Sequence, residues 1–169
     1  MTFEEYIIEL NGYLKALQRQ SLGKCCFGVK EYISNETATE FISNQDFFEN
    51  KCTVVNCNDK PEVDFRYLAE KIKAFLFADG VLSRVGSENG KIKDYLGKML
   101  VEDINEYYGL AANALNPEGE FHPLIQGPVY LLKLTDKNIE DDLCFLVKVE
   151  NRYVFTYFIR KITNGVRAN

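Results

Sequence analysis

The sequence predicts an α+β fold, in which amino-terminal helices pack on a carboxyl-terminal antiparallel sheet of three or more strands. Apolar residues recur every three or four positions through much of the chain before Pro128, which is typical of amphipathic helices. After Pro128 the chain becomes dense in aromatic and β-branched residues, which favour strands. A length of 169 residues and a hydrophobic content of 46% predict a single domain, 1–169, with a substantial core.

The first helix is predicted from its start signal and its periodicity. Thr2 and Glu5 have the spacing of a capping box. Apolar residues then follow at helical spacing: Phe3, Ile7, Leu10, Leu14 and Leu17. Residues 21–23 are expected to end this helix, and the next stretch, "KCCFGVKE", is too short and mixed to assign.

The middle of the chain predicts a short helix, a strand and two longer helices. Asn35 is expected to cap the short helix in "NETATEFISN", and "KCTVVNC" predicts a strand because it is rich in β-branched residues. Asp64 is expected to cap a helix over "FRYLAEKIKAFLFA", which Gly80 would end. The second long helix, "KIKDYLGKMLVEDINEYYG", is expected to stop at Gly109.

The second long helix has an apolar stripe and an opposite charged face. The stripe is expected to pack on the core and consists of Ile92, Tyr95, Leu96, Met99, Leu100, Ile104 and Tyr107. The charged face is expected to be solvated and consists of Lys91, Asp94, Lys98, Glu102 and Glu106.

Three strands are predicted in the last part of the chain, in "PVYLLKL", "LCFLVKVE" and "RYVFTYFIRKI". The junction "VENRY" is short enough for a hairpin between the last two. Both alternating sets of side chains in the final strand are largely apolar. This pattern predicts either cover on both faces of the sheet or a groove lined with aromatic rings.

The composition of the chain argues against some classes of function. The chain has 20 basic and 25 acidic residues and a net charge of −5, which disfavours direct binding to nucleic acid. No secretory signal or membrane-spanning run is visible, so no membrane partner is expected and the predicted localisation is cytoplasmic. Five cysteines in such a chain fit reduced thiols, and nothing in the sequence indicates an oligomeric state.

Cysteine and histidine chemistry supports one alternative function. Cys25 and Cys26 follow Lys24, whose charge would lower the pKa of a nearby thiol, and His122 is the only histidine of the chain. A small enzyme or ligand-binding protein with an aromatic-lined pocket could use either thiol with His122. The favoured interpretation of the loop 116–128 is a stiff connector, since its prolines fix φ.

No metal or other cofactor is expected. Cys52 and Cys57 are five positions apart, so their side chains would point to opposite faces of an extended strand. No paired Cys-x-x-Cys pattern is present, and paired cysteines are the usual signature of a structural zinc site.

The charge distribution leads to the favoured function. Residues 31–50, called here the acidic segment, contain five carboxylates and no lysine or arginine, interleaved with aromatic residues. A second acidic cluster is expected in a loop between two of the strands. The residues predicted to bind a partner are Glu36, Glu40, Phe41, Asp46, Phe47, Phe48, Glu49, Glu140, Asp141 and Asp142.

An acidic surface with aromatic anchors suits a basic protein partner, because complementary charges speed encounter and buried aromatic rings stabilise the complex. The favoured hypothesis is therefore a non-catalytic protein-binding domain. Its most concrete form is an immunity-type inhibitor that neutralises a basic toxin or nuclease.

Overall fold

A computed structural model of the chain describes residues 1–48, 52–57, 65–77, 90–120 and 128–161. The helices are α1 (Phe3–Arg19), α2 (Ala38–Asn44), α3 (Phe65–Phe77) and α4 (Gly90–Leu115). The strands are β1 (Cys25–Ile33), β2 (Cys52–Cys57), β3 (Val129–Leu134), β4 (Ile139–Val149) and β5 (Arg152–Lys161). The predicted α+β class is confirmed. No helix in these ranges combines the length and the apolarity that a transmembrane span requires.

The five strands form one antiparallel sheet in the order β1-β5-β4-β3-β2. The three carboxyl-terminal strands are neighbours, as predicted. The predicted hairpin between β4 and β5 is also confirmed, since Val149 pairs with Arg152 and Glu150 adopts a positive φ of 55° in the turn. The unassigned stretch after residue 23 is largely the edge strand β1, which pairs with β5 through its whole length.

The sheet is covered on both faces. Val154 and Phe158 of β5 belong to a core shared with α1, α3 and α4, whereas Tyr153, Phe155 and Tyr157 belong to a second core that includes α2. Residues 153–159 of β5 are each at most 7% exposed. Of the two arrangements that the sequence allowed for the final strand, the structure has cover on both faces.

Two helix boundaries differ from the sequence prediction. The N-cap of α2 is Thr37 rather than Asn35, and the Thr37 hydroxyl accepts a hydrogen bond from the Glu40 backbone N–H at 3.3 Å. Helix α4 continues past Gly109 to Leu115. A glycine inside a helix costs about 1 kcal/mol relative to alanine, and packing of Ala111 and Leu115 in the last turns against the core outweighs that cost.

The predicted apolar stripe of α4 is rotated relative to the face that the core uses. Among the side chains of α4 that the structure describes, which exclude Ile92, the buried ones are Val101, Ile104, Tyr108 and Ala111. Tyr95 and Met99, which were expected in the core, are 64% and 40% exposed. The apolar surface of α4 is therefore wider than the part of it that packs on the core.

Helix α1 protects the free edge of β1. Three backbone N–H groups of this edge donate to side chains of α1 and its following turn: Cys25 to Ser21 Oγ at 3.0 Å, Phe27 to Gln18 Oε1 at 2.9 Å, and Val29 to Asn11 Oδ1 at 3.1 Å. An exposed edge strand invites pairing with another chain. The side chains of α1 take the place that a further strand would occupy.

Replacing Gln18 with alanine should lower the free energy of unfolding by about 1–3 kcal/mol, because the buried N–H of Phe27 would lose its acceptor. The matched control is Gln20→Ala at the exposed end of the same helix, which should change stability by less than about 0.5 kcal/mol. Urea unfolding of both variants measures the difference. Equal stabilities would show that the edge N–H does not depend on Gln18.

A buried polar pair connects α4 to the sheet, since the hydroxyl groups of Tyr108 and Thr156 share a hydrogen bond. Tyr108→Phe should cost about 1–3 kcal/mol, because the Thr156 hydroxyl would remain buried without its partner. Adding Thr156→Val should recover much of that loss, since no unpaired hydroxyl then remains. A double-mutant cycle in urea tests this coupling, and strictly additive effects of the two changes would contradict it.

Candidate functional site

The aromatic residues of the acidic segment fill the second core. Phe41 and Phe47 are 4% and 5% exposed. Their rings stack on Tyr153 and Phe155 of β5 with centroid separations of 4.1 and 4.4 Å. Phe48 is partly buried and lies edge-on to the same group of rings. The structure therefore corrects the expectation that these rings lie on the surface, because the aromatic side chains of β5 need them as cover.

The carboxylates of the acidic segment have different surroundings. Glu40 and Asp46 are exposed. Glu36 is partly buried and accepts a hydrogen bond from Asn44 Nδ2 at 3.1 Å. Glu49 lies outside the described residues. Binding of a partner by these carboxylates stays a prediction.

The second acidic cluster lies within β4 and not in a loop. Its strand begins at Ile139 and contains a register shift between Ile139 and Asp141. Arg160 of β5 lies 3.6 Å from Glu140 and 3.9 Å from Asp141, measured between the charged groups. This cluster is therefore partly neutralised by a neighbouring strand.

Asp142 of the same cluster has a structural partner. It is partly buried, and its Oδ2 accepts a hydrogen bond from the backbone N–H of Leu134 at 3.0 Å. Burial raises the pKa of the Asp142 carboxyl, and the hydrogen bond acts in the opposite direction. The carboxylate links β4 to the end of β3.

The two predicted acidic groups lie at different ends of the sheet. The hydroxyl of Tyr153 donates to the backbone carbonyl of Glu36, whereas Asp141 pairs with Arg160. Tyr153 and Arg160 are separated along β5 by roughly 23 Å at about 3.3 Å per residue. The acidic segment and the β4 cluster do not form one continuous surface.

The two candidate thiols point to opposite faces of the sheet. Cys25 is 2% exposed and belongs to the core beneath α1, whereas Cys26 is partly buried and packs against the second core. His122 lies outside the described residues, so a pairing of either thiol with His122 stays a prediction. The side chains of Cys52 and Cys57 also lie outside the described part of the structure.

A groove between α1 and α4 combines carboxylates with tyrosine rings. It has a volume of about 390 Å³ and is lined by Glu9, Tyr13, Asp103, Glu106, Tyr107 and Leu110, called here the α1–α4 groove. The tyrosine hydroxyl of α1 donates to Asp103 Oδ2 at 3.2 Å, and the two rings lie 5.8 Å apart with an interplanar angle of 50°. Both rings are partly buried, and all three carboxylates are exposed to solvent.

The groove is a region of uncompensated negative charge. Within the described part of the chain, Glu9, Asp103 and Glu106 form no ion pair. Burial raises the pKa of Tyr107, and the fields of these three carboxylates raise it further. Burial and the charge of Asp103 also raise the pKa of Tyr13. Carboxylates from two helices therefore act on the same pair of rings.

The groove favours organic cations over a bound metal ion. No group of three His, Cys, Asp or Glu side chains among the described residues could hold a metal ion. The carboxylates are instead spread along two helices around the tyrosine rings. A lysine ammonium or an arginine guanidinium interacts favourably both with carboxylates and with the face of a tyrosine ring.

From the sequence, Glu106 was assigned to an ordinary solvated face, and Asp103 was not singled out. The available signal was a repeated pair, since an acidic residue precedes a tyrosine by four positions both at Glu9 and Tyr13 and at Asp103 and Tyr107. That spacing places acid and ring on one face of each helix. Only the packing of α1 against α4 brings the two pairs together.

No protein-family model, curated protein or solved structure matches the chain. The function is therefore inferred from the charges and rings of the groove.

Neutralising the groove should change the titration of its tyrosines. In a variant with Glu9→Gln, Asp103→Asn and Glu106→Gln, the pKa of Tyr107 should fall towards the ordinary tyrosine value, because negative charges no longer oppose formation of the phenolate. A pH titration of tyrosine ring carbons by NMR measures this, with Tyr107→Phe to assign the signal. Neutralising Glu36 and Glu40 is the control and should leave Tyr107 unchanged. An unaltered pKa in the groove variant would show that these carboxylates do not face the ring.

Proposed function

We propose that the chain is a non-catalytic protein-binding domain whose α1–α4 groove binds a basic protein. The observation that carries this proposal is the group of three carboxylates around two tyrosine rings, without a cationic partner among the described residues. In its most concrete form the domain is an immunity-type inhibitor of a basic toxin or nuclease.

The groove supplies both components of a protein interface. Its carboxylates attract a basic surface from a distance and raise the rate of encounter. Tyr13 and Tyr107 provide rigid rings with a hydroxyl group, and tyrosine is among the residues that most often dominate binding energy. A lysine or arginine side chain that entered the groove would meet carboxylates and ring faces together.

The raised pKa values make the groove tyrosines poor general bases at neutral pH. The pKa of each groove tyrosine is raised further above neutrality, so that both hydroxyl groups stay protonated at pH 7. A general base needs a pKa closer to the working pH. Each phenol is therefore a hydrogen-bond donor, and that of Tyr13 donates to Asp103.

An acidic groove also offers a direct way to inhibit a nuclease. Enzymes that act on nucleic acids hold the phosphate backbone with lysine and arginine side chains. A domain that pairs with those side chains competes with the substrate for the same surface. The net charge of −5 acts in the same direction over the whole molecule.

The proposal is tested by affinity capture from the native cell extract at low and at high salt, with mass spectrometry of the retained proteins. The wild type should retain a basic protein at low salt and release it at high salt, because salt screens exposed charges. A groove variant with Glu9→Lys, Asp103→Lys and Glu106→Lys should retain much less of it. Affinity for the identified protein should fall roughly 10- to 100-fold, from three attractions of about 0.5–1 kcal/mol each.

The acidic segment supplies a matched control. Glu40→Lys, Asp46→Lys and Glu49→Lys change the net charge by the same amount on another part of the chain. This control should retain the partner with only a modest loss of affinity. If only the control loses the partner, the acidic segment is the binding surface; if neither does, charge pairing at these carboxylates is not the mode of binding. Melting curves establish that both variants are folded.

A further inference from the structure

Two exposed apolar side chains lie beside the α1–α4 groove. Tyr95 and Met99 are 64% and 40% exposed and lie one helical turn apart. Met99 precedes Asp103 of the groove by one further turn. The apolar pair and the acidic groove are therefore parts of one surface of α4.

This surface runs along the helix. The α4 strip, as it is called here, consists of Tyr95, Met99, Asp103, Glu106 and Leu110. Steps of three and four residues keep these positions on one side of a helix. From Tyr95 to Leu110 the strip is about 22 Å long at 1.5 Å per residue. It is apolar at its amino-terminal end and acidic further along.

Two cations of α4 and its neighbour α3, Lys98 and Lys73, pair with acidic residues other than those of the strip. Lys98 pairs with Glu102 at 3.9 Å, and Lys73 of α3 pairs with Asp94 at 3.3 Å. Both acidic partners lie outside the strip. Glu9 of α1 instead adds a further negative charge on the groove side. A ligand that covers the strip therefore meets an apolar pair followed by three carboxylates.

We propose that the basic partner docks an amphipathic helix along the α4 strip, with cationic side chains over Glu9, Asp103 and Glu106 and an apolar side chain on Tyr95 and Met99. This inference rests on the proposed function and specifies the partner's chemistry. Met99 and Glu106 are about 10 Å apart along α4. The partner helix therefore carries its apolar and its cationic contact residues about two turns apart on one face.

The shape of the surface favours a helix over an extended segment. Two packed helices leave a groove between them into which the side chains of a third helix interdigitate, and helix-in-groove docking is a common mode of peptide recognition. An extended segment would bind instead by adding a strand to a free sheet edge. Neither edge strand, β1 or β2, is part of the α4 strip, and at β1 three outward N–H groups are already bonded to side chains of α1 and its following turn.

Selection from displayed peptides tests the inference and does not require the natural partner to be identified first. Two libraries of about 16 residues have the same randomised basic and apolar composition and can span the strip. One favours helix, and the other contains prolines that prevent it. Both are selected against the immobilised wild type. Binding of the recovered peptides is then measured for the wild type, for the Glu9→Gln, Asp103→Asn, Glu106→Gln variant, and for Tyr95→Ala with Met99→Ala.

The expected binders come from the helix-favouring library, gain helical circular dichroism on binding, and carry basic and apolar residues about two turns apart. Their affinity should fall at least roughly tenfold in the carboxylate variant and again in the Tyr95→Ala, Met99→Ala variant. The matched control is Leu22→Ala with Ile33→Ala, which removes two other apolar side chains that are 81% and 64% exposed. This control should leave the affinity unchanged.

The remaining outcomes separate the two proposals. Binders that need the carboxylates but come equally from the proline-containing library, or do not respond to loss of Tyr95 and Met99, would overturn helix docking and leave the proposed function standing. Binders that are indifferent to the carboxylates, or a selection without binders, would count against the groove and so against both proposals.

Discussion

The fold depends on a strand that is apolar on both sides. Every side chain of β5 from Tyr153 to Ile159 is nearly excluded from water, so the sheet requires a cover on each face. Helices α1, α3 and α4 cover one face, and α2 with the residues that follow it covers the other. Burial of this apolar area is the main favourable term, at about 25 cal/mol per Å². The positions of the helices are consequences of that requirement.

The aromatic residues of the acidic segment, which suggested a binding surface from the sequence, instead cover the second face of the sheet. Phe41 and Phe47 stack on rings of β5, whereas Glu40 and Asp46 of that segment remain exposed. On the other face of the sheet, the helical layer leaves both apolar and acidic side chains at the surface. Val101, Ile104 and Tyr108 of α4 are buried in the core. Other apolar side chains of the same helix remain exposed next to acidic residues. The surface with both rings and uncompensated charge therefore lies on the helices.

Helix α1 contacts three different parts of the structure: the core, the edge strand β1 and helix α4. Leu10 and Leu14 enter the core, and Gln18 bonds an edge N–H of β1. Glu9 and Tyr13 face α4 and form half of the groove. Hydrogen bonds to the edge of the sheet and apolar contacts with the core together fix the position of α1. They therefore also fix its position relative to α4. The groove is thus built on two elements that the core already holds in place, which favours a rigid site.

The sequence by itself determined which segments are helices and which are strands, because periodicity, caps and β-branched runs are local properties. The helix from Thr2, the three final strands and the hairpin at Glu150 are examples. The apolar residues on both sides of β5 left two arrangements open, cover on two faces or an aromatic groove, and the structure decided between them. The edge strand β1 was not recognised, since its pairing with β5 depends on residues about 120 to 135 positions away. Only the tertiary structure decided which apolar and acidic side chains reach the surface. The separation of 90 positions between Tyr13 and Asp103 is closed by packing of α1 on α4, and no local pattern encodes that contact.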